Sequence, residues 1–226
     1  MSLQSRLDAF KANFESGGPP YNAPAAIHGI MGRAMDELIQ SGAALGALKV
    51  GDKAPSFELE EARSGRVSSA SLLEKGPLVV TFFRGFWCPY CNLDLEALQE
   101  VLGKIGNRGA SLVALSPQTA ANSRRAIREK AIAFPILHDL GNEVAASFGI
   151  RFRMPDYLIE LYRDGFGNDL AVTNGEPSWT LPMPARFVIG QDGVIAYAEV
   201  NPDYTKRPDP SELLPILDQL RQTAAA

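Results

Sequence analysis

Leu78-Val79-Val80-Thr81-Phe82-Phe83 is a near-continuous apolar run, and five residues beyond it the chain sets Cys88 at the start of a helical stripe. No other feature restricts the fold so tightly. A strand without polar alternation is buried on both faces, which a parallel sheet covered by helices provides. Leu95, Leu98, Leu102 and Ile105 then mark one face of a helix, and Gly106 and Gly109 bracket its end. Ser111 to Leu115 reads as the next buried strand, Thr119 to Ile132 as the next helix, Phe134 to Leu137 as a short strand and Gly141 to Phe148 as a short helix. Strand, helix and strand at these lengths make a βαβ unit, so the centre of the sheet is expected to be parallel with a right-handed crossover. The fold class is α/β.

The flanks add to this core. Residues 1–47 read as an N-terminal helical extension: Leu3, Leu7, Phe10 and Phe14 form one stripe, the run from Gly17 to Pro20 stops it, and Ile27, Met31, Ala34 and Leu38 form a second. Two short amphipathic helices cannot bury these faces alone, so they must pack on their own core or, in a homodimer, on a second subunit. The extension holds no nucleophile or metal cluster and is expected to be structural or interfacial rather than catalytic. Residues 48–226 form the main domain, broken by an insertion at about 151–182 that could serve as a lid or an interface. Arg186–Ile189 and Val194–Val200 flank Gln191-Asp192-Gly193, a hairpin signal, and a helix runs from about Ser211 to Leu220. The alanines that close the chain are expected to fray.

Charge narrows the partners. With 22 basic and 26 acidic residues the chain has no basic footprint for nucleic acid or anionic lipid, and its apolar runs are far too short to span a membrane. The first ten residues lack the apolar core of a secretory signal, so a cytoplasmic location is expected.

The only cysteines, Cys88 and Cys91, lie three residues apart, too close to staple a chain. At this spacing two thiols suggest redox chemistry or metal binding. Half of a Cys₄ zinc site would need a second pair from elsewhere, and two inert core cysteines are the other bland reading. The helix start favours redox chemistry, because unpaired N–H groups and the helix dipole stabilise a thiolate there. Pro89 suits the first helical position. Geometry makes Cys88 the attacking nucleophile and Cys91, one turn further on, the resolving thiol. Asp94 and Glu96 read most simply as solvated helix residues. No cofactor is expected.

The string Trp87-Cys88-Pro89-Tyr90-Cys91 resembles the Trp-Cys-x-x-Cys site of thioredoxins. A broader resemblance, over roughly residues 48–220, is to the alkyl hydroperoxide reductase/thiol-specific antioxidant (peroxiredoxin-like) family. It is carried by Leu48 to Phe57, Phe134 to Asp139, Phe187 to Gly193, Phe83 to Cys91 and Asp203 to Arg207. The resemblance implies a thioredoxin-like fold, a central mixed sheet flanked by helices, and a thiol-dependent peroxidase. Its substrate would be a peroxide or small disulfide and its reductant a thioredoxin- or glutathione-type thiol. The alternatives are a thiol–disulfide oxidoreductase and a redox-sensing interaction protein. The chain also departs from the family. Peroxiredoxins set their reactive cysteine in Pro-x-x-x-Thr/Ser-x-x-Cys, and here Thr81 and Gly85 stand where the proline and the hydroxyl residue belong. The family's arginine falls, by spacing, at Pro184, where thioredoxins carry a cis proline. Arg84 and Arg186 are the candidate substitutes. With those donors missing, a slow reaction with hydrogen peroxide is expected.

Overall fold

The computed structural model describes residues 1–224; the expectation for Ala225 and Ala226 lies outside them. Helices α1 (Leu3–Glu15) and α2 (Ala25–Gln40) precede the sheet. There follow β1 (Glu58–Glu61), β2 (Arg66–Ser68), α3 (Ser69–Leu73), β3 (Leu78–Phe82), α4 (Pro89–Gly106), β4 (Ser111–Ser116), α5 (Ala120–Lys130), β5 (Ile136–His138) and α6 (Glu143–Ser147). The insertion supplies β6 (Arg151–Arg153), α7 (Asp156–Glu160), α8 (Leu170–Asn174) and β7 (Thr180–Pro182), and the chain ends through β8 (Ala185–Ile189), β9 (Ile195–Val200) and α9 (Leu213–Ala224).

Among the described residues, seven strands form a mixed sheet in the order β2-β1-β5-β4-β3-β8-β9. The centre, β3–β4–β5, is parallel as the βαβ pattern demands, while β8 runs antiparallel to β3 and carries the β9 hairpin. Every residue of β3 is buried, so the unbroken apolar run does mark the strand with helices on both faces. One core lies between the sheet and α4 and α9 and includes Leu95, Leu98 and Leu217. The other covers the opposite face, where the rings of Phe82, Phe148 and Phe187 meet with centroids 4.9 to 6.1 Å apart. Helix α5 ends at Lys130, short of Ile132, because Ala131 turns into the left-handed region. Strands β2, β6 and β7 had no periodic signal, each being only three residues long.

The extension folds onto its own chain. Leu3 and Leu7 are buried in the main core, and Phe10 meets the Tyr90 ring edge-on at 5.0 Å. The anchor is Asp209, which accepts hydrogen bonds from the Ser211 N–H and, at 3.4 Å, from the Leu3 N–H, and forms a capping box with Glu212. Asp209→Ala should therefore lower stability by about 1 kcal/mol, the usual loss for an N-cap, read as a shift of the denaturant midpoint at unchanged slope.

Candidate active site

Cys88 is the N-cap residue of α4, and Pro89 holds the first helical position. The loop that delivers it is pinned at Phe86. The Phe86 N–H donates to Gln118 at 2.8 Å, and the Asn92 side-chain amide donates to the Phe86 carbonyl at 2.9 Å. Gly85 has φ +149° and lies against the Trp87 indole, so a β-carbon there would strike the indole nitrogen. The position where peroxiredoxins place their hydroxyl residue is thus taken up by packing of Trp87.

Both cysteines are free thiols and buried, Cys88 at 1% and Cys91 at 0% exposure. Cys88 nevertheless lines a cavity of about 420 Å³, and Cys91 is not among the residues that form its walls. Burial is the largest influence on the Cys88 thiolate and opposes it. The hydrogen bond from the Cys91 thiol and the charges of Arg84 and Arg207 outweigh burial, with a smaller pull from the Cys91 backbone N–H, and bring Cys88 down to about 5. Burial and the same hydrogen bond push Cys91 well above the ordinary thiol range. The two thiols are therefore strongly unequal.

Arg84 lies in the cavity wall beside Cys88. Its guanidinium sits over the Tyr204 ring at 4.1 Å and the Trp87 ring at 4.9 Å, and donates to the Tyr162 hydroxyl at 3.0 Å. Tyr162 comes from the insertion, which packs around its own apolar cluster of Met154, Ile159, Leu170, Trp179 and Leu181. Of the four residues singled out from sequence, the fold brings Cys88, Cys91 and Arg84 together.

Pro184 is different. It is buried at the head of β8, opposite the end of β3, and is not part of the cavity wall. Among the described residues only the Pro19–Pro20 bond is cis, so the bond preceding Pro184 is trans and the thioredoxin cis proline is not reproduced. An X–Pro bond favours trans by about 0.5–1 kcal/mol, and the backbone pairing here is made without the cis form. The Met183 N–H donates to the Ile150 carbonyl at 2.8 Å and the Pro184 carbonyl accepts from Asn201 at 3.1 Å, which ties the segment into its neighbours on both sides.

Asp94 also departs from expectation, being 3% exposed rather than solvated. It accepts from Arg186 at 2.5 Å and lies 3.7 Å from the Arg207 Nε. Arg186 is thereby engaged with Asp94 and the Pro208 carbonyl, away from the cavity wall. Arg207 is the arginine that sequence reasoning missed. Its Nη2 donates to the Cys91 sulfur at 3.8 Å, and its Nη1 donates to the carbonyls of Tyr204 and Lys206. A signal existed in the helix: Asp94 falls three residues after Cys91 and four before Leu98, on their face, where only a paired acid is tolerated. Close by, burial raises the Glu199 carboxyl to about 7 against the pull of Arg207 and Arg186. Among the described residues there is no group of three or more metal-ligating side chains.

A strand, a loop and a helix that present a depressed-pKa thiol with a second thiol one turn away match a known family. Residues 50–198 match the AhpC/TSA family. The chain belongs to that family. It is an oxidoreductase of the thiol peroxidase class. The chain is 26% identical over 175 residues to the chloroplastic peroxiredoxin Q of Oryza sativa subsp. japonica, which covers 77% of this chain and 69% of that protein. It is 24% identical over 119 residues to the thiol-disulfide oxidoreductase ResA of Bacillus anthracis, covering 52% and 66%. The fold is similar to that of peroxidoxin BcpB from Mycobacterium tuberculosis, with a TM-score of 0.60 at 19% identity over 77% of this chain and 97% of the other. Peroxiredoxin 6 of Arenicola marina gives 0.61 at 21% identity over 78% and 75%. Peroxiredoxin-like architecture therefore surrounds a thioredoxin-spaced cysteine pair.

Proposed function

We propose that this peroxidase runs on Cys88 as the attacking thiolate and Cys91 as the resolving thiol. The observation that carries the reading is the asymmetry of the pair: Cys88 opens on the cavity with a lowered pKa, and Cys91 lies outside the cavity wall with a raised one. The Cys88 thiolate attacks the terminal peroxide oxygen, the O–O bond breaks, and Cys88 becomes a sulfenic acid. The leaving oxyanion takes a proton from water. Cys91 then condenses with the sulfenic acid, releasing water and closing a disulfide. Two equivalents of an external thiol, of the thioredoxin or glutathione type, return the pair to dithiol. In that last step Cys91 leaves as a thiolate, and the Arg207 charge supports it there.

Arg84 takes the part of the arginine absent at position 184, as the charge beside Cys88. The hydroxyl absent at Gly85 has no such replacement in this reading, so hydrogen peroxide reacts more slowly than in peroxiredoxins that keep it. A cytoplasmic location and a homodimer complete the proposal. Among the described residues no helix is long and apolar enough to cross a membrane. Leu3, Leu7 and Ala34 of the extension are buried within the chain, whereas Ile27 and Leu38 are only half-buried and, with exposed Leu45 and Val172, give a dimer apolar surface to use.

The test is a pH profile of the first oxidation in stopped flow. Only the thiolate reacts, so the rate should hold a plateau above pH 6, fall to half near pH 5 and vanish below it. A midpoint near 8.5, the value of an unperturbed thiol, would overturn the assignment. The second reading, disulfide exchange, is favoured by the two-residue spacing between the cysteines. Reduction of insulin without peroxide turnover would establish it instead.

A further inference from the structure

The cavity in front of Cys88 is far larger than hydrogen peroxide needs. Its volume of about 420 Å³ lies in the range of small-molecule sites, roughly 300–1,000 Å³, and exceeds a water's share of about 30 Å³ more than tenfold. Eight of its thirteen wall residues are aromatic. A small peroxide would leave the space to water held against apolar rings, an unfavourable arrangement.

Much of that wall comes from outside the family match, which begins at residue 50. Phe10, Phe14, Tyr21 and Met31 of the extension line the cavity together with Tyr162, Phe166 and Asn168 of the insertion. The two additions are latched to each other. The Tyr157 hydroxyl of α7 donates to Glu37 of α2 at 2.5 Å, and Arg33 lies over the Tyr157 ring at 4.4 Å. The extension, expected to be structural or interfacial rather than catalytic, thus also walls the cavity of the reactive thiol.

The wall's chemistry defines the occupant further. Its one cationic residue, Arg84, is engaged by Tyr162, Tyr204 and Trp87, and its charge is already matched by the Cys88 thiolate, so it offers no open ion pair to a substrate carboxylate. The Arg84 Nε is buried without a partner among the described residues, a single unmet donor that suits one neutral peroxide oxygen rather than the two-point pairing of a carboxylate.

We infer that the substrate is an organic hydroperoxide with a bulky, uncharged aromatic body, selected by the cavity that the N-terminal helices and the insertion build over Cys88. The inference rests on the peroxidase reading above. The Cys88 thiolate takes the terminal hydroxyl of the hydroperoxide, sulfur loses two electrons to the O–O bond, and the organic alkoxide leaves, is protonated by water and departs as the alcohol. The aromatic body sits among the rings, where edge-to-face contacts are favourable.

Two measurements test it. Reduced full-length protein is mixed with cumene hydroperoxide or with hydrogen peroxide, and oxidation is followed by tryptophan fluorescence. Cumene hydroperoxide should react at least about tenfold faster. Met31→Trp, which fills the cavity, and Phe14→Ala, which removes a ring, should each lower that ratio about tenfold, the effect of roughly one lost aromatic contact. Equal rates with the two peroxides, or a ratio both substitutions leave untouched, overturns the inference. Cumyl alcohol binding to the Cys88→Ser protein separates the cavity from the chemistry. If neither peroxide reacts, the peroxidase reading falls, while saturable binding of the alcohol that Met31→Trp weakens upholds the cavity's preference. No binding overturns that preference as well.

Discussion

Cys88→Ser abolishes peroxide consumption, whereas Cys91→Ser still consumes one equivalent per chain and then stops. These opposite outcomes follow from the unequal thiols. The nucleophile is a thiolate, and only Cys88 lines the cavity with a pKa drawn down to about 5. A serine hydroxyl does not ionise in the same surroundings, so no bond to peroxide oxygen forms. Replacing Cys91 removes the group that condenses with the sulfenic acid, so with no external thiol present Cys88 is oxidised once and stops at the sulfenic acid. The serine hydroxyl at position 91 can still donate to the Cys88 sulfur, so the first oxidation keeps most of its speed. Peroxide consumption per chain and the mass of the oxidised product report both results. Turnover surviving in Cys88→Ser, or a first oxidation missing in Cys91→Ser, reverses the roles.

Arg84→Met slows the first oxidation about 100-fold, the loss expected for roughly 3 kcal/mol of stabilisation from one preorganised donor. Arg84 acts on the thiolate as a nearby cation and lies in the wall the peroxide meets. Methionine preserves much of the packing between Tyr204 and Trp87 but removes charge and donors alike. Without the cation the Cys88 pKa rises, so the acid limb of the rate profile moves to higher pH. A structural effect alone would lower the rate without moving that limb, so the pH midpoint is the deciding observation. Arg207 provides the contrast. It touches Cys91, so Arg207→Met should slow regeneration of the dithiol more than the first oxidation.

The sequence by itself determined the central strands, the βαβ order and the seat of the two cysteines, because each depends on local pattern. An unbroken apolar run has to be covered on both faces, and a proline one residue after Cys88 starts a helix there. It also marked Arg84, which is only four residues from Cys88. Tertiary structure alone decided the rest. Arg207 reaches Cys91 across 116 positions of chain, and Arg186 turns to Asp94 across 92, distances over which no periodicity carries information. The place of Pro184 between Ile150 and Asn201, the latter brought alongside by strand pairing, is likewise a tertiary result. The aromatic cavity was equally hidden. Phe10 and Phe14 read as an ordinary buried stripe, and only the docking of the extension against the insertion turns part of that stripe toward Cys88 instead of into the core.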